Sequence, residues 1–316
     1  MVFMDIISFA IACLVIIFSG FWFVKYLGKF TRYLKLGGFL AGFVILSFAT
    51  SLPEFLISIT SALGGYPNIV LGTIIGSSIA NLTIVIGISV LFAKGIRIER
   101  STIRRDSWFM FGFVILAVAL MGFDRVLGRI DGLILISAYV VYMVYLMTRK
   151  RVEVLDQVAV PKSKFLISIV MMFVLAGVLY LGSNFMVIFA ESISLSIGLP
   201  SIFIALIVVA LVTTIPDLAV RIRSISAGKR DLAIDNTMGN VITNLALALG
   251  IAALINPLTG LFLVFVTSAA FLILASFLFI TFLESEATLT RREGLSLVLI
   301  HVFFLVLEFY IATKVF

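Results

Sequence analysis

The sequence predicts an all-α polytopic membrane protein, ten transmembrane helices arranged as two inverted five-helix repeats. Three observations carry that fold class. Of 316 residues, 62% are hydrophobic and 12% charged, with a mean hydropathy of +1.26, whereas soluble domains carry roughly a quarter charged residues. The apolar runs suit helices of about 20 residues per crossing and are too long for barrel strands of about ten. Two segments also repeat at a constant offset of 163 residues. This composition excludes a soluble enzyme, a nucleic-acid reader and a disordered regulator, and it leaves no room for a separate soluble domain.

The spans are read at about 4–24, 37–62, 68–92, 106–122, 130–148, 165–190, 200–226, 232–255, 260–282 and 293–313. Met1 to Asp5 lacks a basic region and is followed by no small-residue cleavage pattern, so the first span reads as a retained helix rather than a removable signal. The halves divide as 1–148 and 165–316 around a 149–164 linker, with the repeated segments at about 42–92 and 205–255.

Charge sets the orientation. Twenty of the 23 Lys and Arg residues fall on one side: between spans one and two, between three and four, around the linker, at the end of span seven and its loop, and before span ten. Only Arg125, Arg129 and Lys314 fall on the other. The positive-inside rule places the linker in the cytoplasm and both termini outside, in a multi-pass plasma-membrane protein. The net charge of +7 belongs to those cytoplasmic loops, and no nucleic-acid partner is expected. The expected partners are the lipid bilayer and transported ions, with the chain acting as a monomer. Cys13 reads as a packing residue. His301 reads as a packed histidine, Trp22 and Trp108 as interfacial anchors, and Glu308, Asp5 and Glu191 as solvated groups near outer helix ends.

The repeat carries the chemistry. Thr50-Ser51-Leu52-Pro53-Glu54 becomes Thr213-Thr214-Ile215-Pro216-Asp217, Gly76 becomes Gly239, and Asn81-Leu82 becomes Asn244-Leu245. Twelve of the 42 positions from 50 to 91 equal their partners. Greasy helices share Ile and Leu by chance, but not paired prolines, acids and asparagines. The offset spans five helices, an odd number, so the second half is inserted upside down; inverted repeats place a binding site at the midplane where they meet.

Each proline removes a backbone donor. Pro53 is expected to free the carbonyl of Ala49, and Pro216 those of Val212 and Thr213. Unpaired carbonyls in a membrane need a cavity or a ligand, and a hard cation prefers oxygen. Hydroxyls stand alongside at Thr50, Ser51, Thr213 and Thr214. Ser77 and Asn81, like Asn240 and Asn244, share a helix face at i and i+4. Glu54 and Asp217 are the sharpest signal, because an ionisable group at the bilayer centre costs about 2.5–3.5 kcal/mol even on the gentler insertion scale.

These residues resemble the cation/calcium exchangers, especially the prokaryotic and archaeal sodium/calcium exchangers. The resemblance rests on Phe48-Ala49-Thr50-Ser51-Leu52-Pro53-Glu54 and on Gly72-Thr73-Ile74-Ile75-Gly76-Ser77-Ser78-Ile79-Ala80-Asn81. Thr213-Thr214-Ile215-Pro216-Asp217 is more similar to the potassium-dependent branch. The resemblance implies a Ca²⁺/Na⁺ antiporter, not an enzyme, that needs no cofactor beyond the transported ions, with H⁺-coupled exchange of Ca²⁺ or another divalent cation as the alternative. It implies Glu54 and Asp217 as principal ligands. Thr50, Ser51, Ser77 and Asn81 would complete the site from one half, and Thr213, Thr214, Asn240 and Asn244 from the other. Many relatives carry Asp where this chain has Asn244, leaving two carboxylates at the centre rather than three.

Charges peculiar to the second repeat give one further expectation. Arg221 stands where the first repeat has Ser58, Arg223 replaces Thr60, and Asp235 replaces Gly72. A rise of about 1.5 Å per residue puts Arg221 and Asp235 at similar depth on neighbouring helices. They are expected to form an ion pair flanking the cytoplasmic access path. The alternatives are snorkelling arginines and an i, i+4 pair of Arg221 with Asp217, which would put a fixed cation in the site.

Overall fold

The first apolar run continues as helix well past its first lysine. A computed structural model describes residues 2–33, 46–97, 100–149, 162–286 and 288–315. In it α1 spans Val2–Tyr33, 32 residues, because Lys25 lies over the Trp22 ring at 3.9 Å and Lys29 over Tyr26 at 4.5 Å. The basic end thus extends the helix by cation–π contacts one turn apart. Its counterpart α8, Lys162–Ile197, is longer still at 36 residues, and the two pack extensively against each other. Both exceed the predicted spans, 4–24 and 165–190.

The other helices follow the predicted order. In the first half these are α2 (Ser47–Thr50), α3 (Leu52–Gly64), α4 (Pro67–Ala80), α5 (Ile86–Ala93), α6 (Arg100–Asp124) and α7 (Arg129–Arg149). In the second they are α9 (Ser201–Ile204), α10 (Ala210–Ser226), α11 (Arg230–Ile242), α12 (Leu249–Ile255), α13 (Phe262–Glu286) and α14 (Arg291–Val315). Among the described residues nine helices are long and apolar enough to cross a membrane, and Leu52–Gly64 is a shorter apolar one. The first part of the predicted 37–62 span and most of the 149–164 linker lie outside the described residues.

Burial sorts centre from periphery. Pro67–Ala93 is 94% buried over its most apolar window and Lys164–Ile197 only 17%, so the repeated segment is the bundle's axis and α8 faces lipid.

The halves meet as related copies. Strand β1 (Ile96–Arg97) pairs with β4 (Thr288–Leu289), and β2 (Val126–Leu127) with β3 (Leu258–Thr259). Within one residue, β3 and β4 lie 163 positions after β1 and β2, so one pairing maps onto the other under exchange of halves. Glycine contacts repeat the exchange. A Cβ on Gly87 would meet the Gly294 carbonyl at 2.7 Å, and one on Gly250 the Gly132 carbonyl at 2.9 Å. Only glycine lets α5 approach α14, and α12 approach α7, this closely.

Both asparagine-bearing helices loosen at equivalent places, into π-helical turns over Asn81–Val85 and Thr243–Ala248. Such turns interrupt the helical ladder locally and recur at functional sites.

Candidate cation site

Two local features of the chain aim the carboxyls inward. In the first half the helix breaks at Ser51 (φ −81°, ψ 0°), and Pro53 sits in the first turn of α3, where a missing N–H is least costly. Glu54 occupies that same first turn. The Ala49 carbonyl, expected to be free, accepts a backbone N–H of the break. In the second half Pro216 stays inside a continuous α10, with Asp217 beside it. Helix α1 crosses both prolines at Gly20, where a Cβ would meet Pro216 at 3.3 Å and Pro53 at 3.5 Å.

Glu54, Asp217, Arg221, Thr50, Ser77, Asn81, Thr213, Asn240 and Asn244 are all 0% exposed. Asn240 donates from Nδ2 to Asp217 Oδ2 at 2.6 Å. The Thr50 hydroxyl lies 2.9 Å from Asn240 Oδ1, 3.0 Å from the Leu46 carbonyl and 3.3 Å from Asn236 Oδ1, and its single proton serves one acceptor at a time. Asn244 donates from Nδ2 to Ser77 Oγ at 3.1 Å. The contacts of Thr50 with Asn240 and Asn236, and of Asn244 with Ser77, cross from one half to the other, so the site exists only where the repeats meet.

The remaining predicted ligands divide. Thr213 lies beside Glu54 while its hydroxyl donates to the Ala210 carbonyl at 3.0 Å. Ser51 is buried and its hydroxyl has no partner. Thr214 bonds only within its own helix, to the Leu211 carbonyl at 3.0 Å.

Arg221 corrects one expectation. Its Nη2 donates to Asn81 Oδ1 at 2.6 Å and stands 3.9 Å from Asp217 Oδ2, so among the described contacts its partners are Asp217 and Asn81 rather than Asp235. Depth alone misplaced it. Arg221 is four residues after Asp217 and shares its face, whereas Asp235, five residues before Asn240, is turned about 140° away at 3.6 residues per turn. Asp235 is itself largely buried, at 9% exposure, on α11.

Asn236 is a site residue that the sequence reading missed. It extends the Asn240–Asn244 face by one further turn, and its equivalent in the first half, Thr73, is likewise fully buried. Following the i, i+4 spacing one step back would have found both.

Glu308 is a second correction. Expected to be solvated, it is 0% exposed and accepts from Ser268 at 2.8 Å and Thr267 at 3.1 Å across the α13–α14 contact. His301 is buried with Nδ1 3.0 Å from the Thr83 hydroxyl, a packed histidine as expected.

Among the described residues, both Glu54 oxygens, Asp217 Oδ1, the Ser51 hydroxyl and Asn244 Oδ1 are buried without a hydrogen-bond partner. A buried polar atom with no partner is costly. A cluster of such oxygens, two of them on one carboxylate, suits a dehydrated hard cation. Carboxylates held this way between two related halves of a helical membrane bundle define a cation antiporter.

The model of the sodium/calcium exchanger protein family matches residues 4–148 and 167–310, and the chain belongs to that family. It is 28% identical over 259 residues to CaxA of Alkalimonas amylolytica, covering 78% of this chain and 79% of that protein. It is 23% identical to the sodium/calcium exchanger MaX1 of Methanosarcina acetivorans, over 92% of this chain and 94% of that one. A structure of the sodium-calcium exchanger NCX_Mj, soaked with Na⁺ and Sr²⁺, superposes with a TM-score of 0.70 at 22% identity, covering 97% of this chain and 99% of that one. That likeness shows the same all-helical fold.

Proposed function

We propose that the protein exchanges Ca²⁺ for Na⁺ across the plasma membrane by alternating access, with the cation bound between Glu54 and Asp217. The observation that carries this reading is the Glu54 carboxylate, fully buried with neither oxygen hydrogen-bonded among the described residues. Thr50, Ser51, Ser77 and Asn81 from one half, and Thr213, Thr214, Asn240 and Asn244 from the other, supply neutral oxygens. A cation bound in the centre offsets the carboxylate charge and lets the long α1–α8 pair slide across Pro53 and Pro216; bare carboxylates resist that movement. The units are the halves 1–148 and 165–316, with the basic 149–164 linker cytoplasmic, both termini outside, and the chain working as a monomer.

The test is radiolabelled Ca²⁺ uptake into proteoliposomes under separately imposed Na⁺ and pH gradients. Uptake driven by an outward Na⁺ gradient, and lost when choline replaces Na⁺, is the expected result. Uptake that follows the pH gradient and ignores Na⁺ assigns H⁺ as the coupling ion instead. Without flux under either gradient, the reading fails.

A further inference from the structure

Among the differences between the halves around the acids, one brings a charge into the centre. Four residues after Glu54 stands Ser58, whose hydroxyl donates to the Glu54 carbonyl at 2.7 Å within its own helix. Four residues after Asp217 stands Arg221, whose guanidinium enters the centre instead. It is fully buried, so its head group does not snorkel out to an interface. Among the described residues, one hydrogen bond, to Asn81 Oδ1 at 2.6 Å, and one ion contact, to Asp217 at 3.9 Å, hold it, and Nε and Nη1 have no acceptor. A guanidinium that serves as a structural clamp is saturated by bidentate partners. This one is held chiefly by the field of two carboxylates, since Glu54 also lies within Coulombic reach.

From this we infer that Arg221 is a tethered cation, filling with its own charge the place of one transported monovalent ion. Glu54 and Asp217 together carry two formal negative charges, and Arg221 returns one. The centre therefore reaches neutrality with a single Na⁺, where a site of two carboxylates alone takes two. A bound Ca²⁺ leaves the loaded centre with one excess positive charge, so Arg221 weakens divalent binding and lowers the number of monovalent ions exchanged per turnover. Asn81 Oδ1, in the resemblance a cation ligand, here also accepts from the arginine and has one lone pair left for a cation. The inference deepens the exchange reading and rests on Glu54 and Asp217 being its binding groups.

The experiment is equilibrium binding of radiolabelled Na⁺, and separately Ca²⁺, to the purified full-length protein in detergent and choline buffer. It compares wild type, Arg221→Lys and Arg221→Gln. Wild type and Arg221→Lys are expected to bind one Na⁺ per chain. Arg221→Gln is expected to bind two, and to bind Ca²⁺ at least about tenfold tighter. An Arg221→Gln protein with the wild-type Na⁺ count and Ca²⁺ affinity overturns the inference. If that variant does not fold, the wild-type count decides: one Na⁺ supports the tethered cation, and any other count refutes it. Failure of the exchange reading is seen separately, as absence of gradient-driven Ca²⁺ flux in wild-type vesicles while the binding counts still stand at one and two.

Discussion

Arg221 and Asp217 should be energetically coupled, and a double-mutant cycle measures by how much. Both side chains are 0% exposed and their charged atoms are 3.9 Å apart. At an effective dielectric constant near 20, two unit charges at that distance interact by about 4 kcal/mol. Arg221→Gln strips Asp217 and Glu54 of their only counter-charge among the described contacts, and Asp217→Asn leaves the guanidinium with Asn81 and the more distant Glu54. Loss of one partner of a buried pair costs about 3–5 kcal/mol, so each single variant should unfold at a clearly lower temperature in detergent without added cations. The double variant should be more stable than the sum of the two losses by roughly 1–4 kcal/mol. Added Na⁺ should stabilise Arg221→Gln more than wild type, because an external cation then takes the vacated charge. The same cycle run on Arg221 and Asp235 should be additive within about 0.5 kcal/mol. Additivity for Arg221 with Asp217, or strong coupling of Arg221 with Asp235, would refute this geometry.

Three further outcomes follow from the site and its packing. Glu54→Gln and Asp217→Asn should each abolish Ca²⁺ flux in proteoliposomes while remaining monodisperse on size exclusion; wild-type flux in either removes that residue from the site. Asn244→Asp adds a third carboxylate beside Ser77, and should steepen the Na⁺ dependence of exchange; an unchanged dependence means the Asn244 oxygen does not face the ion. Gly76→Ala would place a methyl 2.5 Å from the Leu206 carbonyl and 2.8 Å from the Ala210 Cβ, an overpacking that should cost about 1–3 kcal/mol in detergent unfolding; an unaltered midpoint would contradict the close α4–α10 approach.

Much of this molecule is legible in its sequence, for identifiable reasons. Hydropathy locates helices because a bilayer accepts little else, and the offset of 163 residues exposes the halves because prolines and acids in greasy helices do not coincide by chance. Helix α1 runs past its expected span of 4–24 because hydropathy falls at Lys25 while the helix does not end there: Lys25 packs over Trp22 and Lys29 over Tyr26. The two-residue ladders β1–β4 and β2–β3 have no sequence signature, being too short for any alternation. Glu308 looked solvated because its position near a helix end is visible in the chain, while its cover of Thr267 and Ser268 on α13 is not. The partner of Arg221 was misjudged because axial depth was weighed without the rotation of each residue about its helix. At the centre, residue type and symmetry mark the acids, hydroxyls and asparagines as candidates; Asn236 lies one turn further along the same face, and symmetry does not mark it because its equivalent is Thr73.

The most direct test of the account is isotope counterflow. Vesicles reconstituted with wild-type protein and preloaded with unlabelled Ca²⁺ should accumulate external radiolabelled Ca²⁺ transiently above its equilibrium level, and vesicles carrying Glu54→Gln should not. A wild-type trace that rises to equilibrium without overshoot, or an overshoot that survives in Glu54→Gln, would contradict an exchanged cation held by the Glu54–Asp217 centre.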